Sequence, residues 1–269
     1  MKNILKQVLL PTYLKCYKFY TLYLVPYKYI KNRYKDSFIS KNDKKKNVKL
    51  KNAKEIIYIF WTGTNDISKN RMVGIQSLKK NAEVEVELIT PSNLEHYILK
   101  KYPLHPAYEF LSLIQKSDYL RGYFMLHHGG GYCDIKPCIN SWRSMFSTLN
   151  SCEDKWCIGP REKFVGGVQD IEGNIGFDCK KYHNNLISNG AFVYKANSPI
   201  AIEWMQETHE RLDYFMPDLI KNPGDEFGDN NYPIPWAYIM AYIVHPLLLK
   251  YHDKIICTDI DLFSIENYR

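Results

Sequence analysis

Three consecutive glycines, Gly129-Gly130-Gly131, separate a helix-patterned stretch from a short apolar strand that runs into Asp134. No other feature narrows the fold as much. Gly129 can close a helix in the left-handed conformation, and Gly130 and Gly131 allow another group to approach the backbone closely. Strand side chains alternate, so Asp134 and Lys136 leave the chain on one side. An acid just past a glycine turn at a strand end is where open α/β sheets hold their ligands.

The flanking pattern agrees with such a sheet. The continuous apolar run 55–61 reads as a strand buried on both faces, and 84–90 alternates like a half-buried one. Helices are predicted over 68–80 with Ser68 as N-cap, 93–101, 106–114 with Pro106 in its first turn, and 118–128 capped by Ser117. Further strands are expected at 132–135, 156–159, 186–194 and 254–259, with helices at 199–215 and 235–250 and loops at 161–185 and 222–233. The alternation predicts an α/β fold, a mixed, mostly parallel sheet flanked by helices. Residues 52–269 form one catalytic-sized domain, and 1–51 form a basic, aromatic extension and linker.

Charge is divided in the same way. Of 36 Lys/Arg and 29 Asp/Glu, 14 basic residues but only two acids fall in residues 1–51, which leaves the remainder acidic. A nucleic-acid binder would carry its basic surface on the folded domain, so no nucleic-acid partner is expected. Seven cysteines, an odd number in a chain with ample core, point to a reducing compartment. Cys133/Cys138 and Cys152/Cys157 are spaced too loosely for a zinc knuckle and read as free thiols. No run is long enough to span a bilayer and no signal peptide is evident, so a cytoplasmic location is expected. The Lys-studded aromatic segments of residues 1–45 suit either a helix in the membrane interface, peripheral to the cytoplasmic face, or a helix packed on the domain.

The stretch 116–137 carries the chemistry. On a helix from Asp118, the residues Asp118 and Arg121 share a mostly apolar element, so they are either paired with each other or aimed at a ligand. Ser117, Asp118, Arg121, Gly129, Gly130, Gly131, Tyr132 and Asp134 match, in order and spacing, a helix S-D-x-x-R leading into Y-G-G-x-Y-x-D-x-D. That pattern resembles the GT-A-fold (Rossmann-like) DxD glycosyltransferases, in the capsular polysaccharide synthesis and sugar-binding-region group related to yeast α-mannosyltransferases. Phe60-Trp61-Thr62-Gly63 is similar to the group's W-x-G, 186–194 to its S-N strand, and 233–251 to its closing helix. The similarity runs from Glu55 to the C-terminus and leaves the first 50 residues outside.

The resemblance implies a retaining hexosyltransferase that uses a UDP- or GDP-sugar and a saccharide or lipid-linked acceptor, in capsule, surface polysaccharide or glycolipid synthesis. It implies Trp61, Thr62 and Gly63 at the base, Asp118 at the ribose with Arg121 in support, Gly130 and Gly131 near the donor, and Asn189 and Gly190 bordering the sugar. Asp134 and Lys136 then meet the diphosphate. The group's second Asp is Lys136 here. Mn²⁺ or Mg²⁺ is therefore either dispensable, with the ammonium supplying the charge, or held by Asp134 with a C-terminal ligand such as His245. The alternative function is a catalytically inactive nucleotide-sugar or glycan-binding module. Asp259 and Asp261 also spell DxD but read as a surface strand end, and His127-His128 as packing. Loop 222–233, with Asp225, Glu226 and Asp229, is either a lid over the donor or a solvated loop.

Overall fold

The computed structural model describes residues 2–41, 48–226 and 231–264. Six strands, β1 (Ile56–Phe60), β2 (Glu85–Ile89), β3 (Gly130–Cys133), β4 (Cys157–Pro160), β5 (Ala191–Tyr194) and β6 (Ile255–Thr258), form one sheet in the order β2-β1-β3-β5-β4-β6. β1 is parallel to β2 and β3, and β4 to β6; β5 alone runs against its neighbours. The sheet is thus mixed and mostly parallel, an α/β arrangement consistent with a Rossmann-like GT-A fold.

Among the described residues seven α-helices accompany it: α1 (Lys2–Phe19), α2 (Lys69–Asn81), α3 (Leu113–His127), α4 (Arg143–Ser151), α5 (Gly173–Lys181), α6 (Pro199–Lys221) and α7 (Ala241–Lys250). The unbroken apolar run of β1 has a direct cause. Tyr58 and Phe60 enter the core shared with α3, α6 and α7, while Ile57 and Ile59 enter the second core beneath α2 and α4. A strand covered on both faces has no place for polar residues. The three glycines belong to this packing. Gly129 has φ +66, and a Cβ on Gly130 (φ +97) would lie 2.8 Å from the Ile56 carbonyl oxygen. On Gly131 it would press on Ile57, Phe146 and Trp142. The close approach they allow at 130 and 131 is by the neighbouring strand and by α4, not by a ligand.

Several elements depart from expectation, each for a local reason. α3 starts five residues early because Ser112, not Ser117, is its N-cap, accepting from the Gln115 amide. The helix expected over 93–101 is only a 3₁₀ turn, Leu94–Tyr97. The Tyr123 hydroxyl takes the Leu99 N–H (2.8 Å) and donates to the Tyr102 carbonyl (2.6 Å), replacing helical bonds. The helix expected over 106–114 is likewise a 3₁₀ turn, Pro106–Phe110. Of strand 186–194 only Ala191–Tyr194 is extended in the ladder, and helix 235–250 begins at Ala241, after Ala237 takes the left-handed φ of 59°. α4 and α5 have no counterpart in the sequence pattern.

Beyond α1, residues 27–41 lie on the body of the protein. Arg33 grips Asp178 of α5 with two bonds (2.6 and 3.0 Å), the Tyr34 hydroxyl donates to the same carboxylate (2.7 Å), and Tyr27 bonds Tyr34 (3.0 Å). Asp178 is buried while Arg33 is partly solvated, so the pair is worth less than a fully enclosed one. Asp178→Ala is expected to cost about 2 kcal/mol, because it strands a buried phenol and a guanidinium. A fall in Tm of roughly 4–8 °C would show it; an unchanged Tm would mean the segment's docking is unimportant to the fold.

Candidate active site

The carboxyl ends of β1 and β3 open onto a cleft of about 780 Å³. Its wall is drawn from the loop after β1 (Trp61, Thr62, Gly63, Asp66), from α2 (Arg71), from α3 (Ser117, Arg121), from the segment after β3 (Asp134, Lys136) and from Glu226 and Trp236. Thr62 is fixed by donating to the Leu113 carbonyl (2.6 Å) at the start of α3, and the Trp61 indole N–H by donating to the Asn65 carbonyl (2.9 Å).

Alternating charges occupy the floor. Lys136 Nζ lies 3.0 Å from Asp134 Oδ2, Arg121 lies 3.6 Å from Asp134 Oδ1, and the same Arg121 lies 3.5 Å from Asp118. The Tyr132 hydroxyl donates to Asp134 Oδ1 (2.8 Å), and the Arg121 guanidinium stacks 4.4 Å over the Tyr132 ring. Burial alone would raise the Asp134 pKa, but Arg121 and Lys136 outweigh it and hold the carboxyl below its usual range. Asp118 lacks that surplus of cations: burial and, to a lesser degree, Asp134 raise it against the pull of Arg121, to about 6.

Not every expected residue reaches the cleft. Asp118 is only 5% exposed and stands behind Arg121, outside the wall. Asn189 and Gly190 lie on the far side of Asp134. The Gly190 carbonyl accepts from the Asp134 amide (2.8 Å), and a Cβ at Gly190 would come within 3.1 Å of Asp134 Oδ2. The Asn189 carbonyl accepts from Arg121 (3.3 Å), and its side-chain nitrogen pairs with His245 Nε2 (3.0 Å). His245 is fully buried, and desolvation holds its pKa near 4, so the ring is neutral. It touches Asn189 and not Asp134's cleft face, so it is a poor companion ligand. Arg121 Nε, Asn189 Oδ1 and His245 Nδ1 are each buried without a hydrogen-bond partner among the described residues, an unusual concentration near one carboxylate.

The donor set does not make a divalent-cation site. Both Asp134 oxygens are already engaged, one by an ammonium and one by a phenol, with a guanidinium beside them. Among the described residues no three His, Cys, Asp or Glu side chains converge on a metal-sized space. A hard cation needs several such oxygens. The expected Mn²⁺ or Mg²⁺ therefore does not fit the residues as they stand.

Two wall residues were not legible in the sequence. Arg71 donates to the Ile135 carbonyl (2.6 Å), and α2 comes close because Gly74 faces the 135–136 backbone. Trp236, the one tryptophan mostly exposed to solvent, is presented beside the left-handed Ala237, and Gln115 donates to the Ile234 and Pro235 carbonyls just before it. The only advance sign for Arg71 was its place in the first turn after the Ser68 cap. Phe263 also joins the site, with the Lys136 ammonium 4.6 Å over its ring. Of loop 222–233, Glu226 reaches the wall and the Asp225 carbonyl accepts from the Leu113 amide (3.0 Å), while Asp229 lies outside the described residues. Asp259 and Asp261 pair with Lys18, Arg161 and Lys163 away from the cleft, and all seven cysteines are unpaired.

A family model described as capsular polysaccharide synthesis protein matches residues 16–162, more than half of the chain. The match begins within α1, upstream of Glu55 where the motif resemblance starts, and ends just past β4. No curated protein matches the chain.

Proposed function

This chain belongs to the capsular polysaccharide synthesis protein family, and we propose that within polysaccharide synthesis it is a retaining glycosyltransferase taking a hexosyl unit from a UDP- or GDP-sugar. The observation that carries the reading is the Asp118–Arg121–Asp134–Lys136 series at the carboxyl end of β3, opening on a cleft with an indole at each rim. Trp61, Thr62 and Gly63 take the base. Lys136 and Arg71 meet the diphosphate, where fixed cations act on charge that builds as the nucleotide leaves. Asp134 holds Lys136 and Arg121 in place, Asp118 steadies Arg121, and Asn189, paired with His245, backs Arg121 through its carbonyl from outside the cleft.

In the transfer, the bond between the anomeric carbon and the diphosphate oxygen breaks. The acceptor hydroxyl oxygen bonds to that carbon on the same face, and its proton passes to the departing phosphate. No protein carboxylate base is required. The nucleotide-sugar donor and the free thiols both suit a cytoplasmic location.

Release of UDP or GDP from a panel of nucleotide hexoses, with saccharide acceptors present, tests the reading; no release from any donor overturns it. Because a divalent cation does not fit the residues present, activity is expected to persist in EDTA and to be unchanged by added Mn²⁺. Complete loss in EDTA would remove the role given to Lys136 and Arg71. One observation favours a second reading, a silent binding module: Asp134 is closed off by Lys136 at 3.0 Å. Tight nucleotide-sugar binding without turnover would select it.

A further inference from the structure

The outer side of the N-terminal helix is the least expected surface of the molecule. Of the nineteen exposed large apolar side chains among the described residues, seven fall within residues 10–30. Tyr13, Phe19, Tyr20, Tyr23, Leu24 and Ile30 all face solvent, Tyr23 at 70% and Leu24 at 63%. The opposite side of the same helix is docked. The Tyr17 ring stacks on His183 at 5.5 Å, its hydroxyl donates to the Lys181 carbonyl (2.8 Å), and in the π-helical turn Tyr20–Leu24 that continues the helix Thr21 is fully buried. The exposed aromatics are therefore not a helix awaiting its place on the domain. The inner face is already used and the outer face is left over.

Lys18 decides where this surface points. Its ammonium pairs with Asp259 (2.6 Å), the residue just past β6. β6 is parallel to β4, β4 and β3 are both antiparallel to β5, and β3 is parallel to β1. The end of β6 is thus at the same edge of the sheet as the ends of β1 and β3, which open the cleft. A second apolar feature emerges at that edge from a different part of the chain. Phe164 and Val165, both exposed, sit in the loop that follows β4, next to Lys163 paired with Asp261.

Charge selects the occupant. Lys15, Lys28, Lys31 and Lys35 are exposed around the aromatic surface, and Asp36 is the one acid before residue 42. Interleaved lysine and aromatic side chains are what an anionic bilayer surface attracts: rings enter the headgroup layer and ammonium groups meet phosphate. A protein partner would have to bring acidic complements to these lysines. We infer that the outer face of residues 13–30, with the Phe164–Val165 loop, docks on an anionic bilayer, so that the cleft at the same sheet edge faces an acceptor carried on a lipid. The acceptor half of this inference rests on the glycosyltransferase reading; the docking half does not.

Vesicle flotation of the full chain tests it, with phosphatidylcholine alone or mixed with phosphatidylglycerol. Wild type is expected to float with the anionic vesicles at low salt, and release with rising salt as the lysines are screened. Tyr20→Glu/Tyr23→Glu/Leu24→Glu is expected to reduce partition at least about tenfold, and Phe164→Glu/Val165→Glu to reduce it by a smaller factor. Neither touches the cleft, so nucleotide release from donor in vesicle-free buffer should match wild type, as should Tm. Three results overturn the docking surface: no flotation of wild type, undiminished flotation of the triple variant, or a wild-type dimer in light scattering that the triple variant breaks. Floating wild type without nucleotide release would instead sink the enzyme reading and leave the surface standing. If docking holds but a lipid-linked saccharide is no better an acceptor than the same saccharide free, the acceptor half is overturned.

Discussion

Lys136→Ala is expected to lower kcat/KM by about 100-fold or more, the scale seen when one preorganised donor to a developing anion is removed. The side chain is 14% exposed, lies on the cleft wall, and is held between Asp134 at 3.0 Å and the Phe263 ring at 4.6 Å. Its ammonium therefore needs no reorganisation when the diphosphate leaves. Lys136→Asp carries a sharper outcome. It should be as inactive as the alanine variant in EDTA, yet recover part of the loss with Mn²⁺, because two carboxylates two residues apart then share a face. Wild type should show no such rescue. Equal responses of wild type and Lys136→Asp to Mn²⁺ would refute the exchange of metal for ammonium.

Asp118→Asn should make the protein more stable and less active at once. The buried carboxyl titrates near 6, against 3.8 for the unperturbed group. Between those values the folded state holds a proton that the unfolded state has released, so stability falls as pH rises through the window. Above it, the ionised carboxylate costs up to about 3 kcal/mol relative to its neutral form. Asparagine removes that cost. At pH 8 the variant is expected to exceed wild type by roughly 1–3 kcal/mol, and below pH 4 the gain should vanish. Activity should fall at least about tenfold, because Arg121 loses one of its two carboxylates and its hold on Asp134. Denaturant unfolding across pH reads the first effect and nucleotide release the second. A variant less stable than wild type at pH 8 would show that Asp118 serves the fold.

Local chemistry explains which elements could be read in advance. β1, β2 and α2 were legible because their signals are local to each segment: a two-faced apolar run, a strict alternation, and a Ser68 cap that accepts from Arg71. The 93–101 segment was not, since Tyr123, 24 residues on, supplies the hydrogen bonds that bend it. α5 was hidden because its glycine-rich sequence has weak helix propensity, and Asp178 is satisfied by Arg33, 145 residues away. At the site, Asp134 and Lys136 were visible through spacing alone, whereas Arg71 reaches them only because Gly74 lets α2 close on the 135–136 backbone.

By itself the amino-acid order determined the α/β class, the strand end that bears Asp134, and membership of a polysaccharide-synthesis family, all properties of contiguous residues with a fixed period or spacing. The tertiary structure decided what those residues are bonded to. Asp134 is saturated by Lys136, Tyr132 and Arg121, His245 is turned to Asn189, and the N-terminal helix is tied to the end of β6, at the sheet edge where β1 and β3 also end. Partner choice is set by packing between segments far apart in the chain, and each of these contacts is made only when the sheet brings those segments together.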